Sequence, residues 1–172
     1  MEVLEALRGR QSIKSYLPIP VEEEKLQAVL EAGRLAPSSY NSQCRKFLVV
    51  TDPALRKALH DRAGTQPMIE QAPVVIVICA TPDQEHADAM PCGESKHPID
   101  AALSGAYMML EAYAQGLGTC WLGAFDAEAV KEVLGIPRDV KVVTMMPLGY
   151  HDGTQPRRDR KPLEELVSRN RF

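Results

Sequence analysis

Val74-Val75-Ile76-Val77-Ile78-Cys79-Ala80 is the most continuous β-branched run of the chain. A short apolar run without polar alternation reads as a central strand buried on both faces. Cys79 then belongs to the core, not to chemistry. Upstream, Phe47-Leu48-Val49-Val50 reads as a second buried strand. Between the two, Asp52-Pro53 supplies an N-cap acceptor and a proline at the first helical position, with Leu55, Ala58 and Leu59 as the inner face. Further upstream, Leu26, Val29, Leu30 and Gly33 recur at helical spacing behind Glu22, Glu23 and Glu24, which suit the positive end of a helix dipole. Pro37 stops this helix by pushing Ala36 out of helical geometry. Val3, Leu4 and Leu7 line one face of a short first helix that Gly9 ends, and Pro18 and Pro20 bracket an extended link.

Downstream of the central run, residues 81–98 hold three prolines and no periodicity. They read as a long loop and a candidate lid. Ile99 to Gln115 is the longest helical pattern. Ile99, Ala102, Leu103, Ala106, Leu110 and Tyr113 form one stripe, and Met108, Met109 and Ala112 widen it almost all round. A helix apolar on most sides is buried in a core or in a subunit interface, and a chain of this size points to a homodimer. Gly116-Leu117-Gly118 ends the helix. Thr119 to Gly123 reads as a strand entering a turn. Asp126 caps a helix that runs to Leu134 and that Gly135 closes. Val140 to Leu148 reads as another strand, alternating only weakly. Residues 151–172 form a C-terminal arm with few core residues before Leu163, Leu166 and Val167. There is no internal repeat, so residues 1–172 read as one domain.

The totals set bounds. The chain has 172 residues, 45% of them hydrophobic and 25% charged, as in an ordinary globular domain. A net charge of −3 argues against a dedicated nucleic-acid binder. No apolar run is long enough to cross a bilayer, and the acidic amphipathic start is not a secretory signal. The expected location is cytoplasmic. Cys44, Cys79, Cys92 and Cys120 show no C-x-x-C spacing, so reduced thiols and no metal site are expected.

Two short stretches carry chemistry. In Arg10-Gln11-Ser12-Ile13-Lys14, two cations and a hydroxyl stand at alternate positions, which point the same way in an extended segment. They can converge on one anion, most naturally a phosphate. Ala36-Pro37-Ser38-Ser39-Tyr40-Asn41-Ser42-Gln43 offers hydroxyls, amides and backbone N–H groups to a flat polar ring. Near the C-terminus, Arg157, Arg158, Arg160 and Lys161 surround a single Asp159. Together these features suggest a mononucleotide cofactor, held by its phosphate and its ring edge. Each charge-assisted hydrogen bond is worth roughly 1.5–3 kcal/mol, so a few of them suffice for micromolar affinity.

The ordered set of motifs resembles the flavin-dependent nitroreductase family of NAD(P)H-dependent FMN oxidoreductases. It comprises Arg10-x-Ser12-x-Lys14, Leu30 through Gln43, Ala72 through Ile76, Ile99-Asp100, Gly116 through Gly123, Leu148-Gly149-Tyr150 and the basic tail before Pro162-Leu163-Glu164-Glu165. The resemblance implies an α+β, three-layer α/β/α sandwich with a mainly antiparallel central sheet. It also implies an intertwined homodimer with FMN at interfacial sites. By position, Arg10, Ser12 and Lys14 would hold the FMN phosphate beside Gln11, with Arg158 and Arg160 closing on it. Pro37, Ser38, Ser39 and Asn41 would reach the flavin from the other subunit. The turn Leu122-Gly123-Ala124 would present backbone N–H groups near flavin N5. The chain departs from the family where Cys44 and Arg45 replace the usual Pro-Trp, and where His151 follows Gly149-Tyr150.

The implied activity passes hydride from NADH or NADPH through flavin N5 to a small, flat, electron-poor acceptor such as a nitroaromatic or quinone, in ping-pong turnover. It needs no catalytic protein side chain. Two alternatives stay open: a flavoprotein of this fold with another reaction, such as dehydrogenation or dehalogenation, and a non-enzymatic anion-binding or flavin-binding module.

Overall fold

The computed structural model describes residues 2–82, 97–153 and 159–172. Its centre is an antiparallel sheet of order β1-β2-β4-β3, with β1 Arg45–Val50, β2 Val74–Ala80, β3 Gly118–Thr119 and β4 Lys141–Gly149. Every residue of β2 is buried. Its side chains alternate between two cores, Val75, Val77 and Cys79 facing one and Val74, Ile76, Ile78 and Ala80 the other. The helices α2 (Glu23–Leu35) and α5 (His97–Ala114) cover the second face, with Leu26, Val29, Met108 and Ala112 inward. The opposite face is covered by α3 (Pro53–Arg62), α4 (Met68–Gln71) and α6 (Ala127–Leu134), through Leu59, Ile69 and Val130. The fold is thus α+β in three layers. Burial pushes the Cys79 thiol up to about 11, as expected of a core cysteine.

Several local expectations hold in detail. Asp52 accepts the N–H groups of Ala54 and Leu55, and Asp126 those of Glu128 and Ala129. Gly135 closes α6 at φ 65°. Ala36 leaves α2 in extended geometry, directly before Pro37. Two helices meet at glycine: a Cβ on Gly33 of α2 would stand 2.1 Å from Met108 Cε of α5.

Other expectations are corrected. β1 is an edge strand, not a buried one. Only Val50 is fully buried, because β1 pairs with β2 alone. In α3 the inward residues are Arg56 and Leu59, while Leu55 is exposed. Arg56 belongs inside because its guanidinium donates to the backbone carbonyls of Thr51 and Pro73, tying the start of α3 to the entry of β2. In α5 the buried face is Ala101, Ser104, Gly105, Met108, Met109 and Ala112, whereas Ile99, Leu103 and Tyr107 are exposed. Small residues let this helix approach the sheet closely, so its bulkier stripe points away. His97 and Pro98 belong to α5, and residues 83–96 of the expected lid lie outside the described residues. The Thr119–Gly123 strand is short. Beyond β3 it continues only as a single bridge from Leu122 to Met145. Leu163, Leu166 and Val167 are exposed, not core. No helix among the described residues is long and apolar enough to cross a membrane.

After α1 (Val3–Gly9) the chain runs extended beside β3. The Ile13 N–H donates to Thr119 O at 2.9 Å, and Leu17 N–H to Tyr150 O at 2.8 Å. The Tyr16 hydroxyl lies 3.0 Å from Ile13 O and 3.3 Å from Pro147 O. Gly118 makes room for this docking. A Cβ there would stand 2.7 Å from Ile13 Cγ1 and 2.6 Å from His151 Cδ2. Gly118→Ala is therefore expected to destabilise the protein by about 1–3 kcal/mol through overpacking, read as a lower urea midpoint with an unchanged slope.

Candidate functional site

Alternation around Ile13 builds one wall of the site. Ile13 enters the core, so its neighbours Ser12 and Lys14 turn outward on the same side as Arg10. They face a cavity of about 800 Å³, within the range of roughly 300–1,000 Å³ usual for small-molecule sites. Gln11 lies beside them and donates through Nε2 to Gly153 O at 3.3 Å. Its buried Oε1 has no hydrogen-bond partner among the described residues. The opposite wall is the turn Leu122-Gly123-Ala124, and Arg160 joins from the C-terminal arm. Arg10 and Arg160, 150 positions apart in the chain, thus line one cavity.

The charge of this cavity is one-sided. Among the described residues, Arg8, Arg10, Lys14 and Arg160 line it against one carboxylate, Asp159. Cations converging on a concave surface raise the local concentration of anions. Cys120 sits among them, yet burial pushes its thiol pKa up. The Ser12 hydroxyl and the charges of Lys14 and Arg10 pull the other way without overcoming that burial. Burial, with the neighbouring Cys120, also pushes the Tyr16 phenol up. Both groups stay protonated at neutral pH, so neither offers an anionic nucleophile.

The turn at residues 122–124 is only partly free to receive a ligand. The Leu122 N–H is committed to Met145 O at 3.1 Å. The amides of Gly123 and Ala124 have no backbone acceptor among the described residues. Gly123 is open on its side-chain face, where a Cβ would meet nothing nearer than Trp121 Nε1 at 3.9 Å.

Pro37, Ser38, Ser39 and Asn41 do not line this cavity. They lie between α2 and β1, around a short 3-10 turn at Ser39–Asn41. The Ser39 N–H there donates to Asp100 Oδ2 at 3.0 Å. Arg158 lies outside the described residues. Arg8, Gln66, Met68, Cys120 and Trp121 line the cavity without having been singled out from the sequence. Arg8 stands in the last turn of α1, so no strand alternation links it to Arg10. Gln66 arrives from the turn between α3 and α4 and Met68 from the first position of α4, a stretch that carries no motif.

The Nitroreductase family model matches residues 7–66 and 57–150. The chain is 32% identical to an NADH dehydrogenase of Thermus thermophilus, over 92% of this chain and 91% of that one. It is 29% identical to an FMN reductase [NAD(P)H] of Bacillus subtilis, over 96% and 72% respectively. A solved nitroreductase family protein from Clostridium difficile superposes with a TM-score of 0.88 at 27% identity, covering 100% of both chains. With the fold, the motif order and the matched length in agreement, the chain belongs to the nitroreductase family.

Proposed function

We propose that the protein is a flavin-dependent NAD(P)H oxidoreductase that binds FMN in the cavity between the Arg10 segment and the Leu122–Ala124 turn. The observation that carries this reading is the meeting of Arg10, Ser12 and Lys14 with Arg160 around one concave surface. A phosphate dianion suits such a set, because arginine forks bind two oxygens at once and Lys14 adds a point charge. The amides of Gly123 and Ala124, which have no backbone acceptor among the described residues, suit the ring edge of a flavin, where donors stabilise negative charge that develops on reduction. The names of relatives, an FMN reductase and an NADPH-flavin oxidoreductase among them, agree with this cofactor. Bound there, FMN would take a hydride from NADH or NADPH and pass it to a flat, electron-poor acceptor such as a quinone or nitroaromatic. The chain's part is to hold the phosphate, to aim backbone donors at the ring and to leave one ring face open. The protonated state of Cys120 fits a site without a protein nucleophile.

The working unit is proposed to be a homodimer. The outer face of α5 at Ile99, Leu103 and Tyr107, the α1 residues Val3, Leu4 and Leu7, and Leu163, Leu166 and Val167 of the arm are all exposed. Ile99, Leu103 and Tyr107 recur every four residues, so they share one exposed face of α5, which suits an interaction site. Pairing would also let Pro37, Ser38, Ser39 and Asn41, which miss the cavity of their own chain, reach that of a second copy.

The purified protein should carry or take up FMN, show the flavin absorption bands, and oxidise NADH or NADPH faster when a quinone or nitroaromatic is added. A protein that neither binds FMN nor consumes reduced nicotinamide overturns the proposal. Arg10→Ala should raise the Kd for FMN by about ten- to a hundredfold, the equivalent of one charge-assisted hydrogen bond, with an unchanged unfolding midpoint. Fluorescence titration reads the first quantity and urea unfolding the second. Leu103→Glu should convert a dimer to a monomer in light scattering and lower FMN occupancy with it; a monomeric wild type would rule out the proposed pairing.

A further inference from the structure

The stretch between α2 and β1 holds a shape that its own residues do not favour. Tyr40, Asn41 and Gln43 have φ values of 52°, 55° and 53°. None is glycine; asparagine tolerates the left-handed region, but it is costly for Tyr40 and Gln43. Conformations of this kind persist only where the surroundings over-determine them.

Two charged side chains supply that constraint. Arg45, at the start of β1, turns its guanidinium back onto the exit of α2. Nη2 donates to Arg34 O at 2.9 Å and to Ala36 O at 2.6 Å, and Nη1 donates to Pro37 O at 3.2 Å. The last carbonyls of a helix have no intrahelical donors, and a cation there also meets the negative end of the dipole. One planar fork therefore fixes three carbonyls on either side of the bend. The second constraint is Asp100, buried in the first turn of α5, whose Oδ2 accepts the Ser39 N–H at 3.0 Å. Burial pulls the Arg45 guanidinium below its ordinary value, and the Asp100 charge offsets part of that. Inside the loop, Gln43 N–H donates to Ser38 Oγ at 3.1 Å, and Arg45 N–H to Gln43 O at 2.7 Å.

We infer that Arg45 and Asp100 are positioning residues that hold Pro37–Gln43 in the shape that offers Ser38, Ser39 and Asn41 to a flavin bound by a second copy of the chain. The inference rests on the function proposed above and deepens it. Neither residue lines the cavity of its own chain. Each acts through the backbone it fixes.

The test compares wild type with Arg45→Met, which keeps the length of the side chain and removes its donors, and with Arg45→Lys. Amide hydrogen exchange at Ser39 and Gln43 reads the loop without reference to any cofactor. Titration with FMN reads the site. In Arg45→Met, exchange at both amides should quicken while the cooperative thermal melt survives. The Kd for FMN should rise about tenfold, as for a loop that is competent about one tenth of the time. Arg45→Lys should fall between the two proteins. Faster exchange with an unchanged Kd overturns the inference, and so does unchanged exchange. If Arg45→Met does not fold, Arg45→Lys carries the same comparison: looser exchange together with weaker FMN binding supports the inference, and either without the other overturns it. A wild type that takes up no FMN overturns the underlying reading, and this one with it, before any variant is compared.

Discussion

Ile13 holds the site in place. Its side chain is buried in the core beneath the sheet, and its N–H closes onto Thr119 O. Burial of an isoleucine contributes about 1.5–3 kcal/mol. Because side chains of an extended segment alternate, that burial turns Ser12 and Lys14 outward. A slip of one residue would bury a lysine and expose the isoleucine. The hydrophobic core thus fixes the aim of the polar groups. Gly118 is part of the same arrangement, since any larger residue would displace Ile13 from its seat.

The parts of the fold that sequence pattern discloses are those in which one local signal decides. The β2 run, the Asp52 and Asp126 caps, the Gly135 stop and the Leu26–Gly33 stripe are of this kind. The parts that stayed hidden are set by partners distant in sequence. β4 alternates weakly because its register with β2 shifts between Ile78 and Cys79, where Thr144 and Val142 are the successive partners and Val143 is passed over. That extra residue inverts the pleat, so Val142 and Met145 share one core while Met146 and Leu148 face the other. The exposure of β1 depends on which strands flank it. The inward turn of Arg56 depends on two carbonyls that only the folded chain brings near.

The site divides in the same way. Arg10, Ser12 and Lys14 were legible because their spacing matches a strand, and Arg160 because the tail concentrates cations. Gln66 and Met68 were not, since a turn and the first residue of a one-turn helix carry no pattern tying them to a cavity. The commitment of Leu122 N–H to Met145 depends on pairing across a single bridge, which no local rule reveals. Arg45 stood out in the sequence only as a departure from the family. Its work in the structure follows from the bend at Pro37, which brings three carbonyls within reach of one guanidinium.

Trp121 is the only tryptophan in the chain, and it lines the cavity beside Cys120 and the Leu122–Ala124 turn. All indole emission therefore originates at the wall of a single compartment. Its edge packs over Gly105 on α5, where a Cβ would stand 2.7 Å from the ring, so its orientation is tied to that helix. The protein carries a built-in optical gauge, undiluted by signal from elsewhere, for whatever enters the compartment and for any displacement of the helix behind it.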